Sequence, residues 1–569
     1  MQEKLLEYLV SHGMLTPAEA DQLRNTHSES RRPIRELVLE QTNVSEEQLL
    51  EALSAVSRIP TVRLYELSIP MDVRQLVRPD ILRNYVIIPF AYDGDDSSTL
   101  CVAVSDPMNM KGRDMVAIAS KCRVKLFLAT NSDILISIDR YFGTEEMQEA
   151  VELYTQNSEP DRSLEDQALL EDINASPVVM LVNSMVEQAV RQRASDIHVE
   201  AEVDRIRVRC RVDGVLYTTA TYDLRLLAAI VARIKIISGL DISEKRKPQD
   251  GRFTANVDRR EYDVRVSVLP TVYGEKCVLR LNPKKVIHRS KEALGFSKDE
   301  MEKFNQILSR PHGIILVTGP TGSGKSTTMY AALSEMNSEE VNIVTVEDPV
   351  EANVDGINQV QVNPKANMTF ANALRSILRQ DPDIIMIGEI RDSETADIAI
   401  QASITGHLVL STLHTNDTAS SVTRLLDMGV ESYLIADATT GIIAQRLVRR
   451  LCPNCKRLYK PQPHEQAYLR LKPGEQATLY EPVGCQRCGG TGYYDRIGVY
   501  EIMEITPTLK SMITSRAPTS ELRRAAIGEG MRTLRQSVRR LVLDGTTSLG
   551  EMRRIIVEDS HHSEDDELL

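Results

Sequence analysis

Gly319-Pro320-Thr321-Gly322-Ser323-Gly324-Lys325-Ser326 follows the apolar run Ile314–Val317 and precedes a helix-like run, Thr327–Met336. The octet fits G-x-x-x-x-G-K-[ST] in the strand, loop and helix context that gives the pattern its meaning. Its glycines let backbone N–H groups wrap phosphates, and the following helix adds positive potential at its N-terminus. Lys325 is expected to reach the β and γ phosphates of a nucleotide, with the Ser326 hydroxyl on Mg²⁺ and Thr327 closing the motif. The stretch makes the chain a nucleotide binder.

Three further apolar runs, Ile343–Val346, Ile384–Ile387 and Leu408–Leu413, alternate with helical patterns between about 311 and 450. Such alternation predicts a mostly parallel sheet covered on both faces, with ligands beyond the strand C-termini. Ile343–Val346 runs into Glu347-Asp348-Pro349, and Ile384–Ile387 into Gly388-Glu389. A nucleotide hydrolase needs one carboxylate near its metal and one that orients or deprotonates the attacking water. Spacing does not decide between them; the preferred assignment is Glu347 for water and Glu389 for the metal side. His407 and His414 bracket the last run. Either histidine alone reads as a structural residue, and the neighbouring motifs single out His414 as a sensor of the γ-phosphate.

Upstream, Val178, Val182, Met185 and Ala189 form one apolar helix stripe. The alternating strand Arg205–Arg209, a turn at Asp213-Gly214 and a second alternating strand, Tyr262–Val268, complete a small α/β domain. Residues 1–58 read as short amphipathic helices, with an N-cap signature at Ser45-Glu46-Glu47-Gln48, and residues 60–142 mix short strands with helices. At 569 residues the chain has room for about four domains.

The formal net charge of −13 is local. Residues 144–172 hold ten acids against Arg162 alone, and the tail from Glu558 adds six with no Lys or Arg. The remainder is nearly neutral, which gives no support to a nucleic-acid track. The two acidic blocks read as solvated linker and tail. No apolar run approaches the ~18–20 residues of a membrane-spanning helix, and Met1-Gln2-Glu3-Lys4 lacks the marks of a secretory signal. The expected location is cytoplasmic.

Of eight cysteines, Cys101, Cys122, Cys210 and Cys277 sit singly among apolar neighbours and read as core residues. Cys452-x-x-Cys455 and Cys485-x-x-Cys488 form two close pairs, the pattern of a closed, tetrahedral structural Zn²⁺ site. Four protein ligands leave no position open for catalysis.

Thr318–Thr327, Val346–Glu351, Arg379–Asp392, Thr405–Asp417 and Ala444–Lys456 together resemble the secretion ATPases of bacterial type II secretion and type IV pilus assembly, the GspE/PilB-like group. Asp196-Ile197-His198, Arg211-Val212-Asp213-Gly214 and Pro248–Arg252 extend the resemblance, which runs from about 175 to 557. It implies a homohexameric ring that binds ATP between a PAS-like and a RecA-like domain. It also implies work on an inner-membrane platform and cytoplasmic-ring proteins, with membrane contact only through partners, peripheral at the inner membrane. Arg265 and Arg280 match arginines that approach the phosphates from the preceding domain. Gly388 stands where a Walker B aspartate is usual, so that position cannot ligate metal. The four-cysteine insertion is a mark of assembly motors and not of retraction motors.

The expected fold is thus α/β and multidomain. A helical docking module (1–58) and an N-terminal α/β domain (59–143) precede the acidic linker (144–172). A PAS-like domain (173–286) and a RecA-like P-loop core (287–450) follow. A zinc-binding insertion (451–497), a C-terminal helical region (498–557) and the acidic tail (558–569) complete the chain. Relatives that bind cyclic di-GMP carry tandem Arg-Leu-Gly motifs near the N-terminus. Here the copies read Lys4-Leu5-Leu6, with Gly13 kept, and Pro33-Ile34-Arg35, with Thr42 in place of a glycine. Little or no cyclic di-GMP binding is therefore expected. Competing readings are a conjugation-type DNA-translocating ATPase and a nucleotide-gated scaffold with little turnover; the neutral body and the intact hydrolytic residues disfavour them.

Overall fold

A computed structural model describes residues 2–141 and 176–558, apart from positions 31, 43, 65–66, 68, 95, 139–140, 259, 284–290, 473–476 and 486. The acidic linker at 144–172 and the tail beyond 558 lie outside the described residues. The chain divides into two units, Met1–Asn282 and Pro283–Leu569.

The first unit opens with helices Gln2–Ser11, Pro17–Ser30, Ile34–Gln41 and Glu46–Ser57. Ser45 caps the fourth as its sequence suggests: its hydroxyl accepts from the Gln48 N–H, and the Gln48 side chain accepts from the Ser45 N–H. Gly13 turns the chain after the first helix at φ 69°, whereas Thr42 leaves the third with extended backbone at φ −132°. Strands β1 (Ile87–Asp93), β2 (Asp96–Val104) and β3 (Arg123–Leu128) follow, β1–β2 antiparallel and β2–β3 parallel. Helices and sheet share one apolar cluster, in which Leu6, Leu37, Ile88 and Val102 are fully buried.

Strands β4 (Ala194–Ala201), β5 (Arg205–Val212), β6 (Val215–Asp223), β7 (Gln249–Val257), β8 (Arg260–Thr271) and β9 (Gly274–Pro283) form the second sheet, in the order β6-β5-β4-β9-β8-β7. Asp213 and Gly214 both take positive φ, 50° and 85°, the geometry that lets a two-residue turn follow the strand twist. On β5, Ile206, Val208 and Cys210 point into a core with Val182, Met185 and Ala189 of helix Ser176–Arg191, on which Val178 is also buried, while the intervening arginines face away. Cys101 and Cys277 are also buried, as expected, and Cys122 is half-buried.

In the second unit, β10 (Gly313–Thr318), β11 (Ile343–Glu347), β12 (Asn358–Gln361), β13 (Ile384–Ile387), β14 (Leu408–Leu413) and β15 (Thr439–Leu451) precede a small ribbon of β16 (Arg457–Tyr459) and β17 (Leu479–Glu481). With β18 (Tyr493–Glu504) the main sheet runs β12-β11-β13-β14-β10-β15-β18, parallel except for β18. Every residue of β10 and β14 is buried, as a two-sided sheet demands. One apolar layer gathers Ile314, Leu316 and Val409, and the other Ile315, Val317 and Leu410. The region from 498, expected to be helical, opens in β18; only beyond it do four helices run, from Pro507 to Glu558. Val499, Tyr500, Ile502 and Met503 are all buried, and a short unbroken apolar run carries no period that separates strand from helix.

Candidate nucleotide site and metal centre

Because β10, β11, β13 and β14 are parallel, their C-terminal ends share one edge of the sheet. That edge collects Gly319–Thr327, Glu347, Glu389 and His414. The phosphate loop is shaped by glycines at positive φ: Gly319 at 149°, Gly322 at 80° and Gly324 at 90°. A Cβ on Gly319 would fall 2.4 Å from the Gln445 carbonyl oxygen, so only glycine fits there. Gln445 on β15 also accepts a hydrogen bond from the Thr328 hydroxyl at 2.8 Å and so braces the first helical turn.

Lys325 opens helix Lys325–Met336, and its Nζ donates to the carbonyls of Gly319 (2.8 Å) and Pro320 (3.2 Å). Burial pushes this ammonium down to about 8, with Glu389 opposing the shift and Arg446 reinforcing it. Ser326 and Thr327 are exposed beside it. The Ser323 hydroxyl is buried without a hydrogen-bond partner, and a phosphate oxygen would satisfy it. The loop therefore fits a polyphosphate.

Glu347 is 3% exposed at the end of β11. One of its oxygens accepts from Thr345 (2.6 Å) and Gln359 (3.1 Å), and the other from the Tyr330 hydroxyl. Glu389, after β13, pairs with Arg391 at 2.5 Å and with Nε2 of His414 at 3.2 Å. Gly388 sits tightly: a Cβ there would meet the Glu347 Cα and the Val346 carbonyl oxygen, both at 3.3 Å, so any side chain must press the two strands apart by a few tenths of an ångström. His407 sits at the opposite end of β14, its Nδ1 2.9 Å from the Ala402 carbonyl oxygen.

Arg265 and Arg280 lie on β8 and β9 of the first unit, on the face away from its core. Each has a carboxylate partner: Asp263 at 3.4 Å and Asp196 at 3.1 Å respectively. Several contributors carry no local signal in the sequence, because their partners lie far along the chain. Tyr330, Gln359 and Gln445 are three. Glu501 of β18 is a fourth, and it binds the Thr418 N–H at 3.0 Å.

The four cysteines form a second centre. Their sulfurs all lie within 4.8 Å of one another, with Cys452–Cys485 and Cys485–Cys488 at 3.8 Å and Cys455–Cys488 at 3.9 Å. Ligands ~2.3 Å from a tetrahedral Zn²⁺ stand about 3.8 Å apart, so the set fits that ion. The Cys488 sulfur accepts the N–H groups of Cys485 and Gly492, each at 3.1 Å. Burial pushes the Cys455 thiol up to about 12, whereas at Cys488 burial is outweighed by the N–H groups of Cys485 and Gly492, which hold that thiol below its usual range; a cation would favour the thiolate at both. Cys452 follows β15 directly and Cys488 closely precedes β18, so the cluster fastens the ends of two paired strands.

A phosphate loop at the edge of a parallel sheet, with two strand-end glutamates beside it, defines a P-loop ATPase. The family described as "Type II/IV secretion system protein" matches residues 171–554, and the "MshEN domain" matches residues 57–148. The type IV pilus assembly ATPase PilB of Myxococcus xanthus is 39% identical over 568 residues, covering 97% of this chain and 98% of that one. The type II secretion system protein E of Xanthomonas campestris is 40% identical over 565 residues, with the same coverage. In Pseudomonas aeruginosa the corresponding protein is 47% identical over 399 residues, 70% of this chain and 79% of that one. The Legionella pneumophila ATPase DotB matches the fold with a TM-score of 0.50 at 20% identity, over 67% of this chain and 96% of its own. The chain belongs to the GspE/PilB family of type II secretion and type IV pilus assembly ATPases. It is an ATP hydrolase that serves assembly of one of those two systems. No helix among the described residues is long and apolar enough to cross a membrane.

Proposed function

We propose that the chain works as a homohexameric ring motor, splitting Mg-ATP at the Lys325 loop to drive an inner-membrane platform protein that adds subunits to a pilus or pseudopilus. The observation that carries this reading is the gathering of Lys325, Glu389 and His414 at one sheet edge, with Glu347 on the adjoining strand. The chain acts from the cytoplasmic side, peripheral to the membrane, through the platform and cytoplasmic-ring proteins. PAS-like residues 173–286 and a RecA-like core from 287 make up the motor, and the sheet of that core takes in β18 from beyond the zinc-binding insertion.

Within the site, backbone N–H groups and Lys325 hold the phosphates and Ser326 holds Mg²⁺, which neutralises phosphate charge when bound. Glu347 orients the attacking water: a carboxylate offers about four lone-pair sites, and three are taken by Tyr330, Thr345 and Gln359. Glu389 serves the metal side, and His414 keeps it in place. Arg265 and Arg280 supply guanidinium charge to the developing γ-phosphoryl anion. Zn²⁺ on the four cysteines is structural, and cyclic di-GMP is not a ligand.

Two experiments test the reading. A purified, zinc-replete ring should release inorganic phosphate from Mg-ATP, and Lys325→Ala should neither bind nor hydrolyse it. A chromosomal deletion should abolish surface pili or a set of secreted proteins; loss of neither would overturn the motor.

A further inference from the structure

Helix Lys325–Met336 begins at the phosphate lysine, and Tyr330 lies on it five residues further on. Tyr330 is 5% exposed. Its hydroxyl donates to one oxygen of Glu347 and accepts the Glu351 N–H at 3.3 Å, so one atom joins the helix, the strand-end carboxylate and the loop that follows it. The opposite oxygen is held by Thr345 and by Gln359 Nε2, which also donates to the Ala352 carbonyl at 2.9 Å. Every donor to this buried carboxylate is neutral, and no cation pairs with it among the described residues.

We propose that Tyr330 is a positioning residue of the hydrolytic step: its hydroxyl fixes the Glu347 carboxylate in one orientation and ties that orientation to the helix that starts at Lys325. This rests on the reading of Glu347 as the water-side acid. Two hydrogen-bonded anchor points, one per oxygen, leave the carboxylate plane no freedom to rotate, and near-attack geometry depends on such restraint. Burial first, and then Glu347 itself, push the Tyr330 phenol well above its ordinary range, so it remains a donor throughout the working pH span. Asp348 and Glu351 follow Glu347 on its own loop, Lys325 opens the helix that carries Tyr330, and Glu389, paired with Arg391, follows the neighbouring strand β13.

The test uses the full-length protein with Mg-ATP, and compares Tyr330→Phe, Gln359→Leu and Glu347→Gln with wild type. Tyr330→Phe keeps the ring and removes one hydrogen bond. Its kcat should fall about tenfold at neutral pH while KM stays within about twofold, the signature of a lost transition-state contact. A melting temperature near wild type in Tyr330→Phe would show that packing is kept while the contact is lost. Gln359→Leu, which removes a donor to the opposite oxygen, should lower kcat with the same small change in KM. An unchanged kcat in both variants, or a loss of kcat that comes with a lowered melting temperature, would leave Tyr330 a packing residue and overturn the proposal. Glu347→Gln separates the two readings: if it turns over like wild type, the water-side assignment fails whatever Tyr330→Phe does. If it is inactive but still binds ATP, the kcat, KM and melting temperature of the other two variants decide between positioning and packing.

Discussion

His414 Nε2 lies 3.2 Å from Glu389 Oε2, so the residue after β14 and a carboxylate after β13 are joined across two neighbouring strand ends. Arg391 takes the other oxygen. His414→Ala should therefore leave ATP affinity near wild type and lower kcat by up to about 100-fold, since the carboxylate loses one of its two restraints. Steady-state phosphate release beside nucleotide binding checks it.

Glu389→Gln should bind ATP and hydrolyse it at least about 100-fold more slowly. Single-turnover assays with Glu347→Gln in parallel divide the roles. Normal hydrolysis by Glu389→Gln would end its assignment to the metal side.

Lys325 carries a pH dependence of definite sign. Its folded value is depressed to about 8, so in the free protein the ammonium loses its proton as pH rises through that point. A triphosphate requires the charged form, and binding must then take up a proton. ATP affinity should be level below pH 8 and fall above it, by at most about tenfold per pH unit. Lys325→Arg, which stays charged, should show no such fall between pH 7 and 9.

The cysteine cluster predicts about one zinc per chain by elemental analysis. Chelation, or Cys488→Ser, should lower the melting temperature by roughly 10 °C, because metal binding at such sites is folding free energy. The loss should spread beyond the knuckle. Cys452 directly follows the strand that carries Gln445, and Gln445 braces the phosphate loop. ATP binding should weaken together with the metal.

Cyclic di-GMP titrated into the full-length protein should give no saturable signal below about 100 μM. Thr42 carries a side chain where close backbone approach needs a glycine, and its extended backbone takes a different path from that at Gly13. A micromolar isotherm would refute this.

The phosphate loop, the strand-end acids and the cysteine pairs are all legible in the sequence, because each is written in consecutive residues. A parallel sheet also aligns its C-terminal ends, so naming the strands is enough to place Lys325, Glu347, Glu389 and His414 on one edge. What stays hidden depends on pairing over distance. Tyr330 looks like one more core aromatic on its helix, and only the fold brings its hydroxyl to Glu347. Gln445 and Glu501 are polar residues inside apolar runs; nothing local says that one supports the loop and the other anchors Thr418. The part of β18 from 498 reads as helix because its unbroken apolar run has no period, and its partner, β15, lies across the zinc insertion.

Gly388 has a consequence for how this chain can change. Glycine and aspartate codons differ by a single base, so the metal-binding acid usual at that position is one mutation away. Yet even a methyl group there presses on the backbone of the next strand, at a cost of about 1–3 kcal/mol. The shortest evolutionary road back to the commoner arrangement thus runs through a steric toll, and it opens only as far as β11 and β13 can give by a few tenths of an ångström.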